Sequence, residues 1–205
     1  LIYIDGADGQ GKGTLIQNIL NTWDVEKDGP VRSFYDPGIE DGHPMNVIRT
    51  LVKNTNMCAE AELMLFQACR LELFKNIQET LDIGINVLMD RGYWSTFIYQ
   101  GKLKDMEDTV RILDDIFSLP KPDLTMVLQS PFEVVTERLL KRFEGDNPNK
   151  DKFKSNEFFR RRVWTEYNNI VRDNLDVFGL DASGTEIEVL GNFYHLLKSH
   201  KILSK

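Results

Sequence analysis

The chain has 205 residues, 41% of them apolar and 28% charged, with a net charge of −7. That length accommodates one domain with a sizeable core, or a domain with an appended lid, and the acidic balance argues against a general nucleic-acid binder, which presents a basic face. No apolar run approaches membrane-spanning length, no signal peptide is visible, and two cysteines, Cys58 and Cys69, are too few for a disulfide framework, so both are expected to be reduced core residues of a cytoplasmic protein.

The first element is a strand over residues 1–5, LIYID. The chain starts inside that strand, so its natural beginning is expected upstream. The turn GADGQGKGT follows, and Gly6, Gly9, Gly11 and Lys12 have the spacing of a phosphate-binding loop. Glycines there let backbone N–H groups converge on one concavity, and the next helix adds its positive N-terminal end. Lys12 places a cation where β- and γ-phosphates sit. Gly13 stands where the general pattern has Ser or Thr, with Thr14 one position later. A magnesium ion would therefore depend on water, phosphates and a carboxylate elsewhere. Asp8 inside the loop either meets a sugar hydroxyl of a second substrate or simply forms the turn.

A second strand is expected over 31–35, ending in the rigid turn Asp36-Pro37-Gly38, with Arg49 on a helical segment beyond it. Residues 59–74 have helical period, with Leu63, Phe66, Arg70, Leu73 and Ile77 on one stripe. An arginine in an apolar stripe is costly without a partner. Phe66 and Arg70, four apart, present a ring and a planar donor side by side, suited to a base; Arg70 reaching a carboxylate is the alternative. A third strand, 85–90, ends in Asp90-Arg91. Strand ends line the ligand crevice in open α/β sheets, where a carboxylate suits a magnesium shell and an arginine suits phosphate; the alternative is a structural ion pair. A fourth strand covers 124–129, and a fifth is expected over 186–191, EIEVLG. Between helical patterns, FEGDNPNKDKFKS (143–155) reads as a lid candidate or a solvated loop. Apolar strands separated by helices imply a parallel sheet covered on both faces. The expected fold is a three-layer α/β/α, doubly wound five-stranded parallel sheet in a single domain over 1–205, with the lid at about 142–156.

Taken in order, these stretches resemble the thymidylate kinases, P-loop nucleoside monophosphate kinases that move the γ-phosphoryl of ATP onto dTMP. IDGADGQGKGT is similar to the family's phosphate loop, YDPG to its Glu-Pro-Gly turn with Asp36 in place of Glu, and MLFQACR to its Leu-Phe-x-Ala-x-Arg helix. DRGYWSTFIYQG resembles its Asp-Arg-x-x-x-Ser run, KPDLTMVLQ its Pro-Asp-Leu strand, and FFRRRVWTEY and LDASGTEIEVL its post-lid helix and late Asp-Ala-Ser turn. The likeness runs from Leu1 to about Leu197.

Carried onto matching positions, the resemblance implies that Gly9, Gly11, Lys12, Gly13 and Thr14 hold ATP phosphates and that Asp8 meets the deoxyribose 3′-hydroxyl. Phe66 stacks on thymine, Arg70 donates to its carbonyl edge, Gln100 reads the ring-nitrogen side, and Tyr99 lies near the sugar. Arg91 with Arg49 holds the acceptor phosphate, with Asp36 and Ser95 in the same substrate site. Asp90 organises magnesium through water, with Thr14 as a second candidate donor. Lys12, Asp90, Arg91 and Arg142 form the implied catalytic set. Some members carry an arginine in the loop; here Gly9 takes that position, so the lid, with Arg142, Lys150, Lys152 and Lys154, is expected to supply the charge. The implied partners are ATP with Mg2+, dTMP and a second copy of the chain in a homodimer, with neither nucleic acid nor membrane. Bulky Trp94, Phe97 and Ile98 depart from the family pattern and keep dUMP or a 5-substituted relative open as the acceptor. A non-catalytic nucleotide-binding protein is the remaining alternative, although Lys12, Asp90 and Arg91 are all present.

Overall fold

The computed structural model describes residues 1–38, 46–117, 119–142 and 156–202. In chain order the first half contains β1 (Ile2–Asp5), α1 (Lys12–Thr22), α2 (Val25–Asp28), β2 (Val31–Tyr35), α3 (Asn46–Asn54), α4 (Ala59–Asp82) and β3 (Asn86–Asp90). Then come α5 (Tyr93–Thr96), continuing as a π-helical turn over Phe97–Lys102, α6 (Glu107–Phe117), β4 (Leu124–Gln129), α7 (Phe132–Arg142), α8 (Glu157–Asp173), β5 (Val177–Asp181) and α9 (Glu186–Ser199).

The strands form one five-stranded parallel sheet flanked by helices, in the order β2-β3-β1-β4-β5. β2 pairs with β3 from Val31↔Asn86 to Tyr35↔Asp90, and β4 with β5 from Thr125↔Val177 to Gln129↔Asp181. Burial follows this order: β1 is buried throughout, β4 nearly so, and the edge strands β2 and β5 are more open. That accounts for the near-continuous apolar runs in the central strands. β1 occupies the point where strand order turns, so the segment leaving its C-terminal end is favoured for ligand contact.

The chain comprises two compact units, Leu1–Tyr3 with Gly29–Asp123, and Ile4–Asp28 with Leu124–Lys205. In the first, Leu73, Phe74 and Ile77 of α4 pack with Leu1, Tyr3, Val87 and Met89. In the second, each long helix buries residues three or four apart: Leu15 and Ile19 on α1, Val135 and Leu139 on α7, Val163, Tyr167 and Ile170 on α8, and Val189, Phe193 and Leu197 on α9. Such spacing lays one face of each helix against apolar neighbours.

Two expectations are corrected. Residues 186–191 are not a strand; they begin α9, and the fifth strand is Val177–Asp181. A capping box decides this. Thr185 Oγ1 accepts from the Glu188 N–H at 3.3 Å, and the Glu188 carboxylate accepts from the Thr185 N–H at 2.7 Å, which starts a helix regardless of how apolar Ile187 and Val189 look. The true strand, VFGLD, is short and interrupted by Gly179, which weakens its pattern. Among the cysteines, Cys69 is buried, and burial followed by the charge of Asp36 pushes its thiol up. Cys58 instead caps α4 and is exposed, not core. Among the described residues no helix is long and apolar enough to cross a membrane.

Hydrogen bonds from the Thr185 backbone and then its hydroxyl hold the Glu188 carboxyl below its usual range. A depressed carboxylate stabilises the fold above its unfolded pKa, and that gain disappears as pH falls through the folded value. Thr185→Ala is expected to cost about 1 kcal/mol, read as a thermal midpoint lowered by about 2–4 °C at neutral pH. The deficit should narrow as the pH is brought below about 4.

Candidate active site

In the second unit, β1 delivers Asp5 to the head of the glycine loop. Asp5 is fully buried, and its Oδ1 accepts from the Gly6 N–H at 2.9 Å and from the Tyr167 hydroxyl at 2.7 Å. This ties the start of the loop to α8. Gly9 has φ 85° and no room for a side chain: a Cβ would meet Leu139 Cγ at 2.7 Å and the Val135 carbonyl at 3.0 Å. Gly11 caps α1 in the left-handed region, and Gly13 and Thr14 lie exposed on the first turn. Lys12 is buried, and its Nζ donates to the carbonyls of Gly6 at 2.7 Å and Ala7 at 3.1 Å. The ammonium therefore curls back over the loop whose N–H groups and helix end favour an anion. Asp8 is half-buried beside it. Arg142 ends α7 and is exposed. Lys150, Lys152 and Lys154, with the rest of 143–155, lie outside the described residues.

In the first unit, Asp36 follows β2 and Arg70 lies midway along α4, and both are buried, at 3% and 2% exposure. Arg70 Nε donates to Asp36 Oδ2 at 2.9 Å, and Nη2 donates to the same oxygen, to Thr96 Oγ1 and, at 3.1 Å, to the Gly92 carbonyl. The cost of an arginine within an apolar stripe is thus met by a buried carboxylate. Burial works against the guanidinium charge, but the charge and hydrogen bonds of Asp36 more than offset it and hold the pKa above its ordinary value. Burial pushes the Asp114 carboxyl up, and the charge of the same arginine offsets that only in part. Phe66, one turn before Arg70, is half-buried.

β3 ends at Asp90, whose carbonyl accepts from the Asp36 N–H at 2.9 Å. Arg91 then adopts φ 73°, an uncommon conformation for a side chain of its size. Its Nη1 donates to Ser95 Oγ at 3.1 Å, and its guanidinium lies 5.6 Å from the centre of the Tyr99 ring. Gly92 permits the bend, since a Cβ there would lie 2.4 Å from the Tyr3 ring. The structure therefore gathers Arg91, Ser95 and Tyr99 in one cluster. Gln100 is buried on the π-helical turn. Arg49 belongs to α3, and its side chain is outside those described. Phe97 and Ile98 are buried; Phe97 stacks with Tyr93 and meets Trp94 edge-on, so part of their bulk is absorbed in packing.

The thymidylate kinase family model matches residues 4–192. Similar proteins include thymidylate kinases of Fervidobacterium nodosum, 31% identical over 92% of this chain and 93% of the relative, and Buchnera aphidicola, 32% identical over 89% and 86%. That of Legionella pneumophila is 28% identical over 97% and 93%. The chain belongs to the thymidylate kinase family.

Several supporting residues of this thymidylate kinase-family chain were not apparent from sequence. Asp5 carried a weak signal, a carboxylate closing an apolar strand. Tyr167, which steadies the loop through Asp5, and Thr96, which accepts from Arg70, carried none. Among the described residues no group of three or more His, Cys, Asp or Glu is assembled for a metal. The half-buried Asp90 carboxylate of the first unit and the exposed Thr14 hydroxyl of the second are each hard oxygen donors of the kind magnesium takes.

Asp36→Ala removes the carboxylate in direct contact with a fully buried guanidinium. The variant is expected to lose about 3–5 kcal/mol in urea unfolding.

Proposed function

We propose that the chain transfers the γ-phosphoryl group of ATP to dTMP, giving dTDP and ADP. The observation that carries this reading is the family match over residues 4–192 spanning both a glycine loop with Lys12 buried on it and the Asp36-Arg70 and Arg91-Ser95-Tyr99 clusters. A phosphate oxygen of dTMP attacks the γ-phosphorus, the bond from that phosphorus to the β–γ bridging oxygen breaks, and ADP leaves with the electron pair. The reaction asks for alignment and charge neutralisation more than for covalent chemistry.

In this reading the loop N–H groups and the end of α1 take the ATP phosphates, and Lys12 exchanges the carbonyls of Gly6 and Ala7 for phosphate oxygens. Arg91, with Arg49, holds the acceptor phosphate, and Ser95 steadies Arg91. Phe66 faces the thymine ring and Gln100 its nitrogen edge. With Nε and Nη2 of Arg70 engaged by Asp36, Thr96 and Gly92, Nη1 is the donor left for a ring carbonyl. Asp90, with Thr14 as a further donor, would help to hold the magnesium that accompanies ATP, which would supply neutralisation of phosphate charge. Arg142 and the lid cations supply what a loop arginine provides in other members, consistent with the absence of space at Gly9. A homodimer and a cytoplasmic location complete the proposal, both resting on the family resemblance. Family membership favours dTMP over the related pyrimidine deoxynucleotides.

Phosphoryl transfer from ATP with magnesium is to be measured against dTMP, dUMP, UMP, dCMP, AMP and GMP. Highest kcat/KM for dTMP is expected; a clear preference for another acceptor overturns the substrate assignment. Lys12→Ala should lower kcat by about 10²–10³-fold, as loss of one preorganised charge donor does, with an unchanged far-ultraviolet circular dichroism spectrum. Near-normal turnover in that variant rejects the loop assignment.

A further inference from the structure

Gln100 is 8% exposed, and its Nε2 donates to Glu62 Oε1 at 3.2 Å. The same oxygen pairs with Lys104 Nζ at 2.5 Å, and both partners of that ion pair are only about a quarter exposed, at 21% and 27%. Glu62 lies in the first turn of α4. Gln100 belongs to the π-helical turn Phe97–Lys102, and Lys104 follows directly, its N–H donating to the Gly101 carbonyl at 3.0 Å. Two elements distant in sequence thus close on one carboxylate.

A side-chain amide has two faces, one donating and one accepting, and by itself it can flip between them. A carboxylate only accepts. Beside Glu62, the NH2 end of Gln100 must turn toward the glutamate, so its carbonyl turns the other way. Lys104 holds the carboxylate in place, which removes the flipped alternative.

We infer that Glu62, clamped by Lys104, is a positioning residue that sets the base specificity of this enzyme by fixing the orientation of the Gln100 amide. This rests on the proposed role of Gln100 at the base. A fixed carbonyl accepts from an N3–H, which thymine and uracil have. Cytosine has an N3 lone pair instead and would face an acceptor with an acceptor, leaving two buried polar groups unmatched. Release of Glu62 lets the amide flip and offer its NH2 end to cytosine. The discrimination between keto and amino pyrimidines would then reside in a contact that touches no substrate.

The test is steady-state phosphoryl transfer to dTMP and dCMP in the whole chain and in Glu62→Ala, Lys104→Met, Gln100→Ala and the Glu62→Ala/Gln100→Ala double variant. Glu62→Ala should raise KM for dTMP roughly tenfold, the scale of one hydrogen bond to a charged group, with KM for ATP moving less than about twofold, and should lower the dTMP-over-dCMP preference. Lys104→Met should shift the preference in the same direction by less, and Glu62→Gln, which still offers a carbonyl acceptor, should restore part of it. The double variant should be no less selective than Gln100→Ala alone, because coupled residues are not additive. If Gln100→Ala loses selectivity while Glu62→Ala and Lys104→Met keep it, the orienting role is overturned and the base-reading role of Gln100 survives. If Gln100→Ala keeps selectivity, both are overturned.

Discussion

The contact between Arg70 and Asp36 organises the first unit. One guanidinium joins the end of β2, the middle of α4, the Gly92 carbonyl beyond β3 and the Thr96 hydroxyl on α5. The Asp36 N–H in turn donates to the Asp90 carbonyl, so the exits of two neighbouring parallel strands are tied to one charge pair. An ion pair this deep adds little net stability against an apolar replacement, because desolvation consumes most of the attraction. Its value is directional. The geometry of two donor nitrogens meeting three acceptors defines where β3 must end and how the chain turns, and a packed apolar cluster would not impose that turn.

Arg91 adopts its left-handed backbone at that turn. Residues held in such conformations persist only where surrounding structure over-determines them, and here Gly92 is locked on one side by the Tyr3 ring and by its bond to Arg70. The bend carries the Arg91 side chain to Ser95 and Tyr99. The second unit uses the same device with different groups. Asp5, at the end of β1, accepts from the Gly6 N–H and from Tyr167, so a buried carboxylate again fixes the first residue after a strand. In each unit a site segment gains its rigidity from an acid that need not touch a ligand.

What sequence revealed and what it concealed separate along physical lines. The first four strands were legible because each is an apolar run bounded by turn residues, and the phosphate loop because its chemistry is local: glycines, a lysine and a helix start within nine positions. The helical stripe containing Arg70 was legible for the same reason. Its partner was not, since Asp36 lies 34 positions earlier and spacing carries no information on which distant carboxylate faces a buried arginine. The fifth strand failed because two local signals conflicted. Apolar residues in EIEVLG suggested a strand, yet Thr185 and Glu188 form a capping box, and the hydrogen-bond requirement of a helix start outweighs a short hydrophobic pattern. The π-helical turn that carries Gln100 left no mark of its own in the sequence.

The loop glycines show how the two halves of a phosphate site share a charge. A side chain at Gly9 would collide with Leu139 and Val135 of α7, so no arginine can occupy that place without moving that helix. Lys12 remains as the loop's mobile cation, and it already bonds two loop carbonyls. A nucleotide bound as proposed competes with those carbonyls for its ammonium, and an anion of high charge competes best. In the proposed reaction that competition favours a triphosphate over singly charged phosphates, and neutralisation of the transferred group falls to cations outside the loop. Packing at one glycine thus supports the proposal that the charge for phosphoryl transfer comes from outside the loop.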